Sequence, residues 1–92
     1  MKFMTTWSFP TENIPEAAAR FLAGEAVPPE GVKLLGRWHN ADFSGGFELV
    51  ESNDPVALYA GAAKWADLLE FSTVPVIEDG DAGPVLANRF KK

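Results

Sequence analysis

The chain has 92 residues, contains no cysteine and carries a formal net charge of −5 at pH 7. This length provides one compact domain with one modest core, spanning 1–92, and excludes a second domain. The absence of cysteine excludes disulfides and thiolate metal sites, and the negative charge argues against nucleic acid as a partner.

A strand and a helix are predicted at the start of the chain. Residues 2–9 are rich in aromatic and β-branched types and are followed by Pro10, which is typical of a strand. Asn13, with Glu16 three residues later, predicts a capping box that begins a helix, and Gly24 is expected to end it.

A connector and an antiparallel hairpin are predicted next. The segment 27–31 contains two adjacent prolines, which cannot continue a helix. Strands are expected at about 32–39 and 46–52, and the polar stretch 40–45 between them suits a hairpin loop.

The remainder of the chain predicts a second helix and a fourth strand. Asp54 followed by Pro55 is typical of a helix N-terminus, and apolar residues recur every three or four positions after it. A strand at about 70–77 precedes the acidic residues 78–81, which we interpret as a turn. No structure is predicted for the tail at about 80–92.

The order β-α-β-β-α-β predicts an α+β, ferredoxin-like fold, in which a four-stranded antiparallel sheet has two helices on one face. This topology places the fourth strand at a sheet edge. Pro75 supports that placement, because a strand proline is tolerated mainly where its missing N–H faces no neighbouring strand.

Strict alternation along the strands divides their side chains between two faces of the sheet. The more apolar set is predicted to pack under the helices and comprises Phe3, Thr5, Trp7, Phe9, Val32, Leu34, Gly36, Trp38, Phe47, Leu49, Glu51, Phe71, Thr73, Pro75 and Ile77. The mixed set is predicted to face away from them and comprises Met4, Thr6, Ser8, Lys33, Leu35, Arg37, His39, Gly46, Glu48, Val50, Ser72, Val74 and Val76. A bulge in any strand would exchange its two sets.

The predicted open face carries large apolar side chains, Met4, Leu35 and Val50 among them, that water would contact in a single copy. Covering them is favourable at about 25 cal/mol per Å² of apolar area. We therefore expect a homodimer that pairs through its sheet faces. No apolar run reaches the length of a signal-peptide core or a membrane span, so we expect a cytoplasmic protein without a membrane partner.

Three segments carry a family resemblance, namely Thr6 to Ser8, Pro28 to His39 and Trp65 to Leu69. They resemble an uncharacterised bacterial family known as domain of unknown function 3303, of the dimeric α/β-barrel superfamily. The resemblance implies the ferredoxin-like fold and a dimer with facing sheets, and it implies no particular reaction. The wider superfamily includes cofactor-free monooxygenases, isomerising enzymes and ligand-sensing modules, so fold alone does not assign a function.

Five polar residues of the mixed set are candidate site residues. His39 is the only histidine and would be the catalytic proton-transfer group, or it makes an ordinary hydrogen bond at a strand end. Arg37 and Glu48 fall where they would pair across the hairpin, either to bind a ligand or as an ion pair at the subunit boundary. Thr6 and Ser8 would line a pocket or serve as ordinary strand residues.

Two functional hypotheses follow. The first is a homodimer that binds a small anionic or aromatic ligand in a cavity between paired sheets. The second is a cofactor-independent oxygenase or isomerase, and a purely structural or interaction dimer is a further alternative. The sequence contains no phosphate-binding glycine loop or nucleophile elbow, and we expect neither a cofactor nor a metal. The three tryptophans, Trp7, Trp38 and Trp65, are predicted to belong to the core.

Overall fold

A computed structural model describes residues 1–91 and contains all the predicted elements together with a third helix. The strands are β1 (Lys2–Ser8), β2 (Lys33–His39), β3 (Gly45–Glu51) and β4 (Glu70–Val76). The helices are α1 (Ile14–Leu22), which follows a 3-10 turn at Thr11–Asn13, α2 (Pro55–Trp65) and α3 (Asp79–Arg89). The architecture is the predicted α+β, ferredoxin-like one, consistent with a dimeric α/β-barrel fold.

The four strands form one antiparallel sheet in the order β2-β3-β1-β4. The prediction that β4 lies at a sheet edge is confirmed, since β4 pairs with β1 alone among the described strands. Pro75 lies opposite Phe3 in that pairing.

The N-terminus of α2 is capped as the sequence predicts. The Asp54 carboxylate accepts hydrogen bonds from the backbone N–H groups of Val56 at 3.0 Å and Ala57 at 3.2 Å. These bonds satisfy two of the donors that the first turn of a helix leaves without backbone partners.

The capping box predicted for α1 is wrong. The Asn13 side chain donates instead to the backbone carbonyl of Leu68 at 3.1 Å, and Glu16 pairs with Arg20 one turn further along the helix at 3.1 Å. Asn13 thus links the start of α1 to the segment after α2. The helix ends close to Gly24, whose φ of 81° lies in the left-handed region that glycine adopts without strain.

The acidic segment predicted as a turn forms the beginning of α3, and most of the unassigned tail forms the rest of this helix. Asp79 and Asp81 in its first turn interact favourably with the positive end of the helix dipole. The glycines and the proline within this segment disfavour a helix, so the sequence pattern did not predict one. Lys92, the end of the predicted tail, lies outside the described residues. No helix found within residues 1–91 has the length and apolar character needed to cross a membrane.

The assignment of faces is confirmed for β1 and β4 and wrong for β3 and for the second half of β2. Val50, predicted on the open face, lies opposite Phe3 and is 3% exposed. In β2 the register shifts between Leu34 and Gly36, so the extra residue turns the following side chains to the other face. In β3 the more apolar set, which contains Phe47 and Leu49, lies on the open face, while Gly46, Glu48 and Val50 lie opposite Trp7, Thr5 and Phe3 on the covered face.

The open face consequently carries aromatic side chains that were predicted to be buried. Trp38 stacks on Phe47 with ring centroids 5.3 Å apart, and half of the Trp38 surface is exposed. The prediction that Trp38 belongs to the core is therefore wrong, whereas Trp7 and Trp65 lie on the side of the sheet that the helices cover.

Candidate functional site

A cavity of about 700 Å³ lies between the sheet and the two helices α1 and α2. Half of the residues that the helices contribute to its wall are alanine or glycine, including Ala17 and Ala18 from α1 and Gly61 and Ala62 from α2. Such side chains leave unfilled the space that leucine or phenylalanine would occupy in a tightly packed core. Phe21 lines the cavity and is 42% exposed, so the space opens to solvent.

A row of four polar residues crosses the sheet beneath this cavity, in the sequence Thr73, Thr5, Glu48 and Arg37 from β4 to β2. The two threonine hydroxyls lie 2.9 Å apart and share a hydrogen bond. The Arg37 guanidinium donates from Nε to Glu48 at 3.0 Å and from Nη2 to the backbone carbonyl of Ala26 at 2.8 Å. Side-chain hydrogen bonds thus join the two residues at each end of the polar row.

A second row of residues lies beside the polar row and contains three aromatic side chains, those of Phe71, Trp7 and His39, with Gly46 between the last two. We call it the aromatic row. Gly46 is required there because a Cβ atom would overlap the Trp7 ring and the backbone carbonyl of Trp38. The His39 ring meets the rings of Trp7 and Phe21 edge to face, with centroid separations of 5.6 and 5.3 Å. His39 is therefore framed by aromatic rings at one end of the cavity.

Arg20 fastens the two helices together above the cavity. Its guanidinium donates to both carboxylate oxygens of Asp67, at 3.1 and 2.6 Å, and to the Lys64 carbonyl at 3.4 Å. The hydrogen bond from Arg20 holds the pKa of the Asp67 carboxyl below its usual value. The arrangement fixes the end of α1 against the end of α2.

The structure brings together three of the five predicted site residues. Arg37, Glu48 and His39 all line the cavity, on the face opposite to the one predicted, because of the bulge in β2 and the phase of β3. The predicted pairing of Arg37 with Glu48 is present. Thr6 and Ser8 lie on the open face, away from the other three.

Two cavity residues, Thr5 and Thr73, were not among the predicted site residues. Thr5 is only 7% exposed although it is polar. The sequence did contain a signal, because both threonines are hydrophilic members of the set assigned to the covered face. The buried hydroxyl of Thr5 needs a hydrogen-bond partner, and the hydroxyl of Thr73, an exposed residue, supplies it.

The cavity is suited to binding an apolar molecule that has one polar group. Arg37 and Glu48 neutralise each other's charge, while their remaining donor and acceptor positions stay within reach of a ligand. Across residues 1–91 no three His, Asp or Glu side chains are grouped closely enough to hold a metal ion.

Comparison with known proteins agrees with the fold. The solved structure of Rv0793 from Mycobacterium tuberculosis has a TM-score of 0.51 with this chain at 10% sequence identity, covering 84% of this chain and 94% of that one. No curated protein matches the chain. A family model described as a domain of unknown function, DUF3303, matches residues 1–90, and the chain therefore belongs to that family.

Proposed function

We propose that this protein binds a small molecule in the cavity between its sheet and helices, and that it does so as a homodimer. The observation that carries the proposal is the cavity itself, with mostly apolar walls and a polar row across its floor. Its volume of about 700 Å³ falls within the range of small-molecule sites. A few placed polar groups in an otherwise apolar pocket are what orient a ligand in such sites.

An aromatic, uncharged ligand fits this cavity better than an anion. The Arg37 guanidinium already has the Glu48 carboxylate and the Ala26 carbonyl as acceptors, so an anion would compete with both. The rings of Trp7, His39 and Phe21 offer edges and faces for aromatic contacts.

The proposal moves the ligand from the space between paired sheets to the space under the helices of each copy. Arg37, His39 and Glu48 support this location because all three line that space. Thr6 and Ser8 are not part of the proposed site. Pairing through the open face remains part of the proposal, because that face carries Trp38 and Phe47 at its surface.

Binding of N-phenyl-1-naphthylamine, an uncharged fluorescent aromatic, tests the proposal. A phenylalanine in place of Ala62 would fill part of the cavity, whereas Ala63, the next residue of α2, is exposed and lies outside the lining. We expect the wild type and Ala63→Phe to bind the probe alike and Ala62→Phe to bind at least tenfold more weakly. Absence of binding, or equal binding by all three proteins, would reject the site.

An enzymatic role is the second candidate, and the position of His39 is the observation that favours it. In a cofactor-independent oxygenase or isomerase, His39 would transfer the proton and the Arg37–Glu48 pair would hold the substrate. Turnover of a ligand identified by binding would have to fall in His39→Gln while binding is retained. Equal turnover in both proteins would exclude His39 as the proton-transfer group.

A further inference from the structure

Helix α3 is exposed to water along its whole length. From Ile77 to Lys91 every described residue except Ala82 is exposed. Four of these residues are large and apolar and keep more than half of their surface in solvent: Ile77, Val85, Leu86 and Phe90. The helix thus carries apolar side chains that the sheet and the other helices leave uncovered.

The sequence of α3 does not stabilise a helix by itself. The helix has 11 residues, which is at or below the ~12–15 residues at which isolated helices become marginal in water. Gly80 and Gly83 weaken it further, and Pro84 removes a backbone hydrogen bond within it. A helix of this composition needs a surface to pack against, and the described part of its own chain leaves open space around both glycines.

The open face of the sheet is a second uncovered apolar surface in the same chain. Trp38 is 50% exposed, Val74 50%, Leu35 39% and Phe47 37%. Together with Ile77, Val85, Leu86 and Phe90, which lie in or beside α3, they present roughly 800 Å² of apolar surface, at ~150–250 Å² for a whole aromatic side chain, which matches the ~800 Å² per partner of a standard interface. A second copy would therefore supply enough contact area for a stable dimer.

The shape of the chain agrees with an extended arm. The radius of gyration is 15.9 Å and the longest dimension is 55 Å, whereas a compact domain of this length has a radius of gyration of about 12 Å. An ion pair between Lys2 of β1 and Glu78 holds the base of α3 against the sheet.

We infer that α3 is an arm that packs on a second copy of this chain, continuing the interface formed by the open sheet face. In a two-fold dimer each copy contributes both uncovered surfaces, the helix and the sheet face, and both become covered by the other copy. The inference rests on the homodimer of the proposed function and does not depend on occupancy of the cavity.

Light scattering after size-exclusion chromatography of the full chain at about 10 µM tests the arm. The variant Leu86→Asp/Phe90→Asp places charges on α3 and at its C-terminal end, and Val56→Asp/Tyr59→Asp places them at still more exposed positions of α2. We expect dimers for the wild type and the α2 variant, and at least a tenfold increase in the dimer dissociation constant for the α3 variant. A monomeric wild type, or an α3 variant that dimerises as tightly as the wild type, would overturn the inference.

Two further measurements distinguish loss of the arm contact from misfolding and from an effect on the cavity. Probe binding should be retained in the α3 variant, so that loss of the dimer with intact binding identifies the arm alone. Because the chain contains no cysteine, the variant Asn88→Cys takes a spin label at that position alone. This spin-labelled protein, at natural nitrogen abundance, is mixed with ¹⁵N-labelled protein that carries no spin label. Broadening of sheet amides in the ¹⁵N copy is expected, and its absence would contradict packing of α3 on the partner.

Discussion

Arg37 and Glu48 form the charged half of the polar row, and each is the other's counter-charge. Their side chains are 21% and 23% exposed, so water only partly screens either charge when its partner is removed. The loss of one partner is therefore worse than the loss of both.

A double-mutant cycle should show this asymmetry. We expect Arg37→Met and Glu48→Leu each to lower the free energy of unfolding by about 1–3 kcal/mol, because each leaves a partly buried charge without a partner. The double variant should be more stable than either single variant, as measured by urea unfolding. Strictly additive losses would show that the two side chains act independently.

Gly46 is the residue on which the aromatic row depends. A methyl group there would meet the Trp7 ring, with atoms at 2.5 and 2.7 Å. Gly46→Ala should lower the free energy of unfolding by about 1–3 kcal/mol through overpacking and should change tryptophan fluorescence. Gly83→Ala, at a position surrounded by open space in the described chain, is the control and should be neutral or stabilising. Equal stability of Gly46→Ala and the wild type would contradict the packing of Trp7 over Gly46.

At the scale of elements, the turn signals were more informative than the face pattern. Pro10, Gly24 and Asp54 mark the ends of elements, and the predicted strand boundaries agree with the structure to within about one residue, whereas α2 ends at Trp65 rather than near Leu69. Faces depend on the phase of each strand, which local sequence does not determine when a bulge is present. The bulge at Leu35 reversed the predicted orientation of Arg37 and His39, and the phase of β3 reversed that of Glu48.

The third helix was missed for a related reason. Gly80, Gly83 and Pro84 disfavour a helix locally, and the packing that would compensate for them is not visible in the chain itself. The cavity was also beyond prediction, because it depends on how far alanine-rich helices stand from the sheet. Its polar residues were in part predicted, since the pairing of Arg37 and Glu48 requires only adjacent strands.

The contact between Arg20 and Asp67 makes the junction of α1 and α2 sensitive to acid. The folded-state pKa of Asp67 is lower than its ordinary value of 3.8, so its contribution is fully present above that value. It is lost as the pH falls through the folded-state pKa. Wild type should therefore melt at a higher temperature than Asp67→Asn at pH 6, and the difference should shrink below about pH 3.8. A difference in melting temperature that does not change with pH would contradict this role.

For the whole molecule, the two faces of one thin sheet have different roles. The covered face holds the cavity and its polar row, while the open face and α3 hold the apolar surface proposed to meet a second copy. Pairing would stabilise the sheet from one side and leave the other side available for a ligand.

An NMR titration of the ¹⁵N-labelled protein with N-phenyl-1-naphthylamine tests the central claim most directly, because side-chain and amide shifts identify the face that the probe contacts. The account predicts the largest changes at the Arg37 Nε–H, at the His39 ring nitrogens and at the backbone amides of Thr5 and Thr73, with the Thr6 amide little changed. The largest changes at Thr6 and the Trp38 indole, with Arg37 and His39 unaffected, would place the ligand on the open face and contradict the account.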